Sequence, residues 1–482
     1  MSYEAVVGLE VHVQLNTRTK IFCRCRNAFG EEPNSLICPV CTGYPGSLPV
    51  LNREAVNLAV RLALALGCRV NPVSVFARKN YFYADLPKGY QISQFELPVA
   101  EEGQLPLTEH DRSITIDRLH MEEDAGKLLH ETPGGGALPG QSLVDFNRCG
   151  VPLVEIVSAP DMSSAAEAQD YLQTLHQVLL YTTTSDGNLE EGSLRCDANV
   201  SVRPPGQEEL GTKVEVKNLN SFRNIAKAVD YEIERQSGRI DSGGVIVQET
   251  RTFDAAHGVT RPMRSKEEAH DYRYFPEPDL PPLILSNERV ADLEADLPEL
   301  PWERRERFRG DYELSLDDAR LLTSSPELAA YFEAAVASYP ENPKGIANWV
   351  MTEVLRELKA RHDDVEQALG PEHVGDLVRL VDEGRISGRG GKELLAEIWE
   401  TCEPPAAAMD RMGLGQVSDV DEIGAWIREV LEEHPTPVSQ YLAGKTKALG
   451  FLVGQVMQLS SGRADPHQAQ DLLRESLERL QS

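Results

Sequence analysis

A segment at residues 79–94 combines side-chain types that burial in a core would not require. It holds two lysines, four aromatic residues, an aspartate and three amides in sixteen positions. The segment has neither helical nor strand periodicity, so burial alone does not account for its composition. A surface of this kind suits a charged, planar ligand. Residues 118–127 add a histidine, two cations and three adjacent acids, which predicts a site where cations, carboxylates and rings converge.

Acidic and histidine side chains also share one face of the first predicted strand, at residues 4–15. Glu10 and His12 alternate there with apolar residues, which is typical of a half-buried strand. Further carboxylates lie near other predicted strands: Glu122, Glu123, Glu155 and Asp197. Taken singly, each acid is an ordinary surface residue, but the acids coincide with three cations: Lys79, Lys88 and Arg195. Mg²⁺ binds a few carboxylates and completes its shell with water and phosphate oxygens, so this combination favours ATP-dependent chemistry.

Four cysteines near the N-terminus have the spacing of a metal site. Cys23 and Cys25 form one close pair, and Cys38 and Cys41 follow twelve residues later as a second pair. Two such pairs can meet at a tetrahedral zinc ion. Four thiolates leave no open ligand position, so the zinc would be structural. The alternative is a set of free thiols left from a lost site.

No familiar nucleotide-binding loop is present in the sequence. It contains neither GxxxxGK[ST] nor a dinucleotide-binding fingerprint. Residues 388–392, Gly-Arg-Gly-Gly-Lys, follow no predicted strand, and we interpret them as a turn that opens a helix. Any nucleotide would therefore bind to a sheet. The sequence also lacks an amidase signature, so a reaction that uses ammonia would need it from another chain.

Composition and charge exclude several classes of protein. The 482 residues carry a formal charge of −29, whereas proteins that bind nucleic acid along much of their surface are usually basic. Any RNA contact must therefore be local. The N-terminus lacks the basic and apolar regions of a signal peptide, and no apolar run is long enough to span a membrane. Eight cysteines in a chain of this size fit a reducing, cytoplasmic location.

The first three fifths of the chain predict an α+β fold with an antiparallel or mixed sheet. Short strands are predicted at 4–15, 113–121, 151–158, 194–203 and 212–218. They are interrupted irregularly by helices at 54–66, at 165–180 after a Ser164–Glu167 capping box, and at 222–237 ending at Gly238. This irregular order argues against a doubly wound fold. Residues 133–140 are predicted to be a flexible insertion.

Beyond the proline-rich break at 276–282, nearly all of the sequence has helical character. We expect three parts: an α+β domain at 1–292, an all-helical domain at 293–405, and a small three-helix tail at 406–482. Helix starts are predicted at Ser315, Ser325 and Ser418. Residues 402–408, Cys-Glu-Pro-Pro-Ala-Ala-Ala, are predicted to be a linker.

Glycine and basic residues suggest a binding surface in the tail. Gly444, Gly450 and Gly454 fall inside a helical pattern, where each costs roughly 1 kcal/mol relative to alanine. Close approach of another backbone or of RNA would account for them, and three basic residues are candidates for phosphate contacts: Lys445, Lys447 and Arg463. A tightly packed helix pair with solvated lysines explains the pattern equally well.

Long motifs throughout the chain resemble the B subunits of the bacterial tRNA-dependent amidotransferases. They are residues 7–14 (VGLEVHVQ), the cysteine group, and segments 78–94, 120–127, 185–203, 217–223, 270–279 and 450–457. The resemblance covers essentially the whole length. It implies a cradle similar to the catalytic fold of glutamine synthetase and guanidino kinases, followed by helical domains that bind tRNA.

The resemblance also implies an activity, a ligase that forms C–N bonds with glutamine as the amide-nitrogen donor. A protein of this family uses ATP and Mg²⁺ to phosphorylate the side-chain carboxylate of Asp-tRNA(Asn) or Glu-tRNA(Gln). Ammonia made by an A subunit then displaces phosphate, and a small C subunit ties the other two together in a heterotrimer. A non-discriminating aminoacyl-tRNA synthetase is a further candidate partner.

By match to the family, site roles can be assigned to individual residues. We expect Glu10, His12, Glu123 and Glu155 to hold magnesium. Glu122, Lys79 and Lys88 would line the ammonia route or bind phosphate. The residues expected to contact nucleotide are Arg195, Asn199, Lys127 and Asp197.

Two other functions remain as alternatives. A stand-alone ligase similar to glutamine synthetase would amidate a small carboxylate without tRNA, but it leaves the tail unexplained. A non-catalytic, zinc-containing RNA-binding scaffold would not need Glu10, His12 or Glu123. The first alternative predicts activity without tRNA, and the second predicts that substitution of these three residues by alanine leaves function intact.

Overall fold

Alternating polar and apolar residues build the first strand of a large sheet. The computed structural model of the chain describes residues 3–129, 136, 138, 140–263, 272–417, 419–460 and 462–480. It divides into two compact units, Met1–Glu303 and Arg304–Ser482. Most of the insertion predicted at 133–140 lies outside the described residues, as do Ser418 and the start of the 270–279 motif.

Sixteen strands are described in the first unit. In chain order they are β1 (Glu4–Gln14), β2 (Arg69–Val70), β3 (Val73–Ser74), β4 (Phe76–Asn80), β5 (Tyr90–Gln94), β6 (Ala100–Pro106), β7 (Ser113–Glu123), β8 (Lys127–Leu129), β9 (Leu143–Asp145), β10 (Pro152–Ser158), β11 (Leu194–Arg203), β12 (Val214–Leu219), β13 (Glu249–Asp254), β14 (Val259–Pro262), β15 (Phe275–Pro276) and β16 (Leu283–Ile284). Nine of them form one sheet in the order β14-β13-β12-β11-β1-β10-β7-β6-β2.

This sheet is mixed, because β12 and β13 pair in parallel whereas all its other neighbours are antiparallel. The predicted α+β class with an antiparallel or mixed sheet is therefore confirmed. The three smaller sheets are β15-β4-β5, β16-β3 and β8-β9. The five predicted strands are all present, with ends shifted by a few residues at most.

Three main helices accompany the sheet: α1 (Arg53–Ala65), α2 (Ala165–Tyr181) and α3 (Phe222–Asp241), followed by α4 (Asn287–Ala295). The Ser164 hydroxyl caps α2 by accepting from the Glu167 amide, as predicted, although the Glu167 carboxylate accepts from Ser163 instead. The expected end of α3 at Gly238 is wrong. The helix runs on to Asp241 and the chain turns at Gly243, whose φ of +80° suits glycine.

The core of the first unit lies on one side of the sheet. Val7, Leu9, Val11 and Val13 of β1 are buried in a cluster with apolar residues of α1, α2 and α3. Successive residues of a strand face opposite sides, so the even-numbered residues of β1 point away from this cluster. Burial of the odd-numbered positions thus fixes which face of the sheet presents Glu10 and His12.

Helices dominate the second unit and two separate apolar clusters stabilise them. The first helix below begins just before the boundary between the units: α5 (Pro301–Asp311), α6 (Leu316–Leu322), α7 (Pro326–Ser338), α8 (Pro343–Trp349), α9 (Leu355–Arg361), α10 (Pro371–Asp382), α11 (Gly388–Thr401), α12 (Pro405–Met412), α13 (Val420–Glu433), α14 (Pro435–Leu442), α15 (Lys447–Leu459) and α16 (Pro466–Arg479). A π-helical turn joins α8 to α9, and a 3₁₀ turn spans Val365–Gln367. Ser315 and Ser325 cap α6 and α7 as predicted.

Two expectations for this unit are wrong. The linker predicted at 402–408 is shorter, because α12 begins at Pro405. Ala408 and Met409 of this helix are buried in the first of the two apolar clusters. The described residues of the tail form four helices, α13 to α16, rather than three, because Gly444 at φ +95° divides α14 from α15. None of the helices formed by the described residues has the length and apolar character needed to cross a bilayer.

Candidate active site

Three adjacent strands bring His12, Glu122 and Glu155 together on the face of the sheet opposite the main core. His12 on β1 pairs with Glu155 on β10, and Glu155 pairs in turn with His120 on β7. His12 Nε2 lies 3.5 Å from Glu155 Oε2 and 3.9 Å from Glu122 Oε1. Both carboxylates are buried. One ligand atom from each of His12, Glu122 and Glu155 lies within 4.8 Å of the others, so the trio can hold a metal ion.

His120 is a further member of this cluster that the sequence analysis did not assign. Its Nε2 lies 3.2 Å from Glu155 Oε2 and 3.8 Å from Glu122 Oε2. Its buried Nδ1 has no hydrogen-bond partner among the described residues. Strand alternation would have revealed it, because residues 120 and 122 of a strand share a face.

The cluster is electrostatically coupled. Burial opposes charge on His12 and His120, but hydrogen bonds and the charges of Glu122 and Glu155 outweigh burial and raise both pKa values, that of His120 to about 9. Burial likewise opposes ionisation of Glu155, yet the two imidazoles hold its pKa well below the usual range. The site therefore favours ionised carboxylates next to positively charged groups. A bound metal ion would supply positive charge at the same place.

Two of the four residues expected to hold magnesium together, Glu10 and Glu123, do not join the group of His12, Glu122 and Glu155. Glu10 belongs to a second group with Asp197 and Glu215, whose carboxylate oxygens also lie within 4.8 Å of one another. Glu123 follows Glu122 directly on β7, so its side chain points to the opposite side of the strand. Its carboxylate forms an ion pair with Lys88 and accepts from the Ile92 amide at 2.9 Å. Glu122 thus takes the place expected for Glu123 beside His12.

The second carboxylate group is surrounded by polar partners. Asn199 Nδ2 donates to Glu10 Oε1 at 2.9 Å. Lys217 Nζ lies 2.5 Å from Asp197 and 2.8 Å from Glu215. Burial opposes charge on Lys217, but the two carboxylates raise the lysine pKa. Glu215 and Lys217 were not predicted; both lie on β12, whose residues 215 and 217 share a face.

Two further cations border the cluster of His12, Glu122 and Glu155. Arg195 lies opposite His12 in the β1–β11 register and donates to Asp124 Oδ2 at 2.7 Å. Lys79 Nζ lies 5.0 Å from the centre of the Tyr272 ring, and the charges of Glu122 and Glu155 raise its pKa against the effect of burial. Lys127, by contrast, is exposed on β8 and has no ion pair with a carboxylate of the described chain.

The four cysteines converge as predicted. Each offers a sulfur, and the four sulfurs lie within 4.8 Å of one another. The Cys38 amide donates to Cys41 Sγ at 3.2 Å. The pKa of Cys41 is lowered despite burial, mainly by a hydrogen bond with Cys23 and also by the hydrogen bond from the Cys38 amide. The group can therefore hold a metal ion that prefers thiolate ligands.

The turn that carries Cys41 also contacts Lys88. Gly43 has φ +68°, and a Cβ at this position would lie only 2.3 Å from Lys88 Cγ and 3.0 Å from its Cα. A cavity of about 210 Å³ is lined by Cys23, Cys41, Lys88 and Glu123, among others. Only glycine allows the cysteine turn to lie this close to Lys88.

The basic residues of the tail lie on and beside α15. Lys445 and Lys447 are exposed, and the Arg463 guanidinium lies 5.7 Å from the centre of the Trp426 ring. A Cβ at Gly450 or Gly454 would meet nothing within 4 Å. The glycines therefore do not serve close helix packing within this unit.

Comparison with known proteins covers almost the whole chain. A family model described as "GatB/GatE catalytic domain" matches residues 5–291, and one described as "GatB domain" matches residues 330–477. Three relatives are named as the B subunit of aspartyl/glutamyl-tRNA(Asn/Gln) amidotransferase. The relative from Geotalea daltonii is 53% identical and covers 99% of this chain and 100% of its own length. Those from Carboxydothermus hydrogenoformans and Persephonella marina are 51% and 49% identical, over 99% of this chain and 99% and 100% of their own lengths.

The motifs that suggested the family at the sequence level are therefore part of a similarity that spans both units. The cluster around His12 lies within the residues matched by the catalytic-domain model. At this identity and coverage, the chain belongs to the family of B subunits of aspartyl/glutamyl-tRNA(Asn/Gln) amidotransferases.

Proposed function

We propose that this chain activates and amidates the side-chain carboxylate of misacylated Asp-tRNA(Asn) or Glu-tRNA(Gln), using ATP and ammonia from glutamine. The carboxylate oxygen attacks the γ-phosphorus of ATP and releases ADP. Ammonia then attacks the acyl carbon, phosphate leaves, and the nitrogen gives up a proton. The observation that carries the proposal is the His12–Glu122–Glu155 cluster beside Lys79 and Arg195, on a sheet face that lies opposite the core.

Magnesium fits the first cluster. Two buried carboxylates and one imidazole nitrogen are ligand types that a divalent cation accepts, and His120 is placed to support Glu122 and Glu155. When bound, the ion would neutralise charge on the transferring phosphoryl group. Glu10, Asp197 and Glu215 provide a second set of oxygen ligands, with Asn199 orienting Glu10.

The neighbouring cations would bind and orient the phosphates. Lys79 lies near the Tyr272 ring and is influenced by the charges of Glu122 and Glu155, and Arg195 is anchored by Asp124. Both present positive charge beside the trio that would hold magnesium. This arrangement would let the sheet bind ATP without the phosphate loop that the sequence lacks.

The Lys88–Glu123 pair lies on the other side of β7 and suits a different task. It lines the cavity beside the cysteine turn. A polar, enclosed passage would suit ammonia, and we assign this pair to the ammonia route. Zinc at Cys23, Cys25, Cys38 and Cys41 would be structural, holding the turn that forms one wall of the cavity.

The remaining parts of the proposal concern partners. The relatives' names describe one subunit of an amidotransferase, which implies a complex. We propose an A subunit that makes ammonia and a C subunit that joins the A subunit to this chain. We also propose that the first unit of this chain is a cradle similar to the catalytic fold of glutamine synthetase. Lys445, Lys447 and Arg463 would contact tRNA phosphates, with a non-discriminating synthetase as a further partner.

The test is amide formation on both misacylated tRNAs by this chain together with its A and C partners. Parallel reactions receive glutamine or ammonium chloride, with ATP and Mg²⁺. His12→Ala should abolish product with either nitrogen source, because ammonium chloride bypasses glutamine hydrolysis but not carboxylate activation. His110→Ala is a matched control, since His110 pairs with Asp170 on a different element and should leave product formation near the wild-type rate.

Each alternative function predicts a different outcome. Amidation of free glutamate or aspartate, with both tRNAs unchanged, would replace the proposal with a stand-alone ligase. Binding of tRNA without any product would favour a scaffold. Full activity of His12→Ala would contradict the assigned site even if the amidation reaction itself were observed.

A further inference from the structure

Lys20 is a buried lysine next to the cysteine group, and none of its surface is exposed. Its backbone amide donates to the Cys25 carbonyl at 3.0 Å, and Asn52 Nδ2 donates to its carbonyl at 3.3 Å. The backbone is thus fixed by the turn that carries the first cysteine pair. Burial of a charged ammonium costs several kcal/mol unless an anion and hydrogen-bond acceptors lie close to it. The groups around the Lys20 ammonium must therefore compensate for its burial.

Two groups of the described residues accept hydrogen bonds from its ammonium group. Lys20 Nζ lies 3.7 Å from Cys41 Sγ and 3.5 Å from the Phe146 carbonyl oxygen. Within the described parts of the chain, no carboxylate forms an ion pair with Lys20. Of these two contacts, the Cys41 sulfur is the one that can carry a negative charge.

Neighbouring backbone supports the same geometry. Cys41 Sγ also accepts from the Cys38 amide, so two donors converge on one sulfur. Gly150 packs against the pair with φ +78°, and a Cβ there would lie 3.4 Å from Cys41 Cβ and 3.7 Å from Lys20 Cδ. The Lys20–Cys41 contact is thus enclosed by packed backbone and is not a chance approach of two surface groups.

We propose that Lys20 is a positioning residue of the four-cysteine metal site, which offsets ligand charge and holds Cys41 in place. The inference rests on the zinc assignment in the proposed function. Four thiolates around Zn²⁺ carry a net charge of −2, and a cation in contact with one sulfur reduces the cost of burying that charge. Outer partners of this kind typically change metal affinity by about 10- to 100-fold.

The experiment measures zinc affinity of the full-length chain by competition with a chromophoric chelator. Lys20→Met keeps the length of the side chain but removes its charge, and it should weaken zinc binding by about 10- to 100-fold. Lys20→Arg retains the charge and should bind closer to wild type than Lys20→Met does. Lys213→Met, at an exposed lysine of the same unit, controls for the loss of one charge and should bind as wild type.

Cobalt spectra separate failure of this inference from failure of the zinc assignment. Thiolate-to-cobalt charge-transfer bands should be present in wild type and in Lys20→Met, showing that the four ligands are unchanged. Equal zinc affinity in Lys20→Met and wild type would overturn the role of Lys20 and leave the zinc site standing. Absence of zinc uptake and of thiolate bands in wild type would overturn both. If Lys20→Met did not fold, Lys20→Gln would be judged by the same criterion.

Discussion

Glu122 and Glu123 are adjacent, buried and acidic, yet the structure gives them different partners. Glu122 lies with His12, His120 and Glu155, whereas Glu123 pairs with Lys88 beside the cysteine turn. Strand alternation separates them to opposite sides of β7. Their roles should therefore separate in experiments.

Glu122→Gln should raise the Mg²⁺ concentration needed for half-maximal amidation by about tenfold or more, since removal of even an outer partner of a metal ligand has an effect of this size. The measurement is the initial rate with ammonium chloride across a magnesium titration. Substitution of Glu123 is the matched comparison.

Glu123→Gln should lower the rate because it weakens the pair with Lys88. It should leave the half-maximal Mg²⁺ concentration unchanged, because His12, Glu122 and Glu155, the proposed magnesium ligands, stay in place. Equal shifts in magnesium dependence for both variants would contradict the separation of the two carboxylates.

At the scale of elements, the turns and helices that border the sheet determine where functional side chains lie. The turn after Cys41 approaches Lys88 through Gly43. Helix α3 is joined to the sheet by a buried ion pair between Glu232 and Arg251, and Arg235 of the same helix also pairs with Glu232. Both features can be tested by single substitutions with matched controls.

Gly43→Ala should lower the free energy of unfolding by about 2–5 kcal/mol, combining a left-handed backbone cost of about 1–2 kcal/mol with overpacking of about 1–3 kcal/mol. Gly46 also has a positive φ, of +86°, but a Cβ there would have no neighbour within 4 Å, so Gly46→Ala should show only the backbone cost. Urea unfolding of both variants checks this difference. Gly43→Ala should also slow amidation because it displaces Lys88. Equal unfolding midpoints and equal amidation rates for Gly43→Ala and Gly46→Ala would show that the contact with Lys88 is unimportant.

A second element-scale prediction concerns pH. Glu232 on α3 is fully buried and contacts Arg235, Arg251, Thr260 and Gln236. Burial opposes its ionisation, but hydrogen bonds with Arg235, Thr260 and Gln236 and the charge of Arg235 lower its pKa. The ion pairs therefore stabilise the fold above about pH 4.3, the usual value for an unfolded glutamate, and this contribution is lost as pH falls through the folded pKa.

Glu232→Gln should accordingly lower the free energy of unfolding by about 3–5 kcal/mol at pH 7, and the difference from wild type should shrink below pH 4. Urea unfolding at several pH values measures it. Glu234→Gln, at an exposed position of the same helix, should have little effect at any pH. A constant difference for Glu232→Gln across the range would contradict the assigned ionisation.

For the whole molecule, the net charge of −29 opposes association with a polyanion. Any tRNA binding must rely on local basic residues, and its salt dependence should be steep. The basic residues of the tail are the candidates for that local contact.

Lys445→Ala and Lys447→Ala should each weaken tRNA binding and reduce the slope of log affinity against log salt by about 1. Filter binding between low and moderate salt measures this slope. Lys359→Ala, at an exposed lysine of α9, is the control and should retain the wild-type slope. Unchanged slopes for the tail variants would place the RNA contact elsewhere.

Several features followed from the sequence by itself. The alternation in β1 predicted the strand and the shared face of Glu10 and His12, and serines predicted the starts of α2, α6 and α7. The spacing of the cysteines predicted their convergence. These are local properties, because they depend on periodicity, caps and short loops that neighbouring residues determine.

Only the tertiary structure decided which residues meet across the sheet. It joined His120 to the first cluster, moved Glu10 to a second group with Glu215, and paired Glu123 with Lys88. These outcomes depend on the order of β7, β10, β1, β11 and β12 and on their registers. A register shift of one residue reverses which face every side chain occupies, and sequence periodicity within a single strand contains no information about its partner.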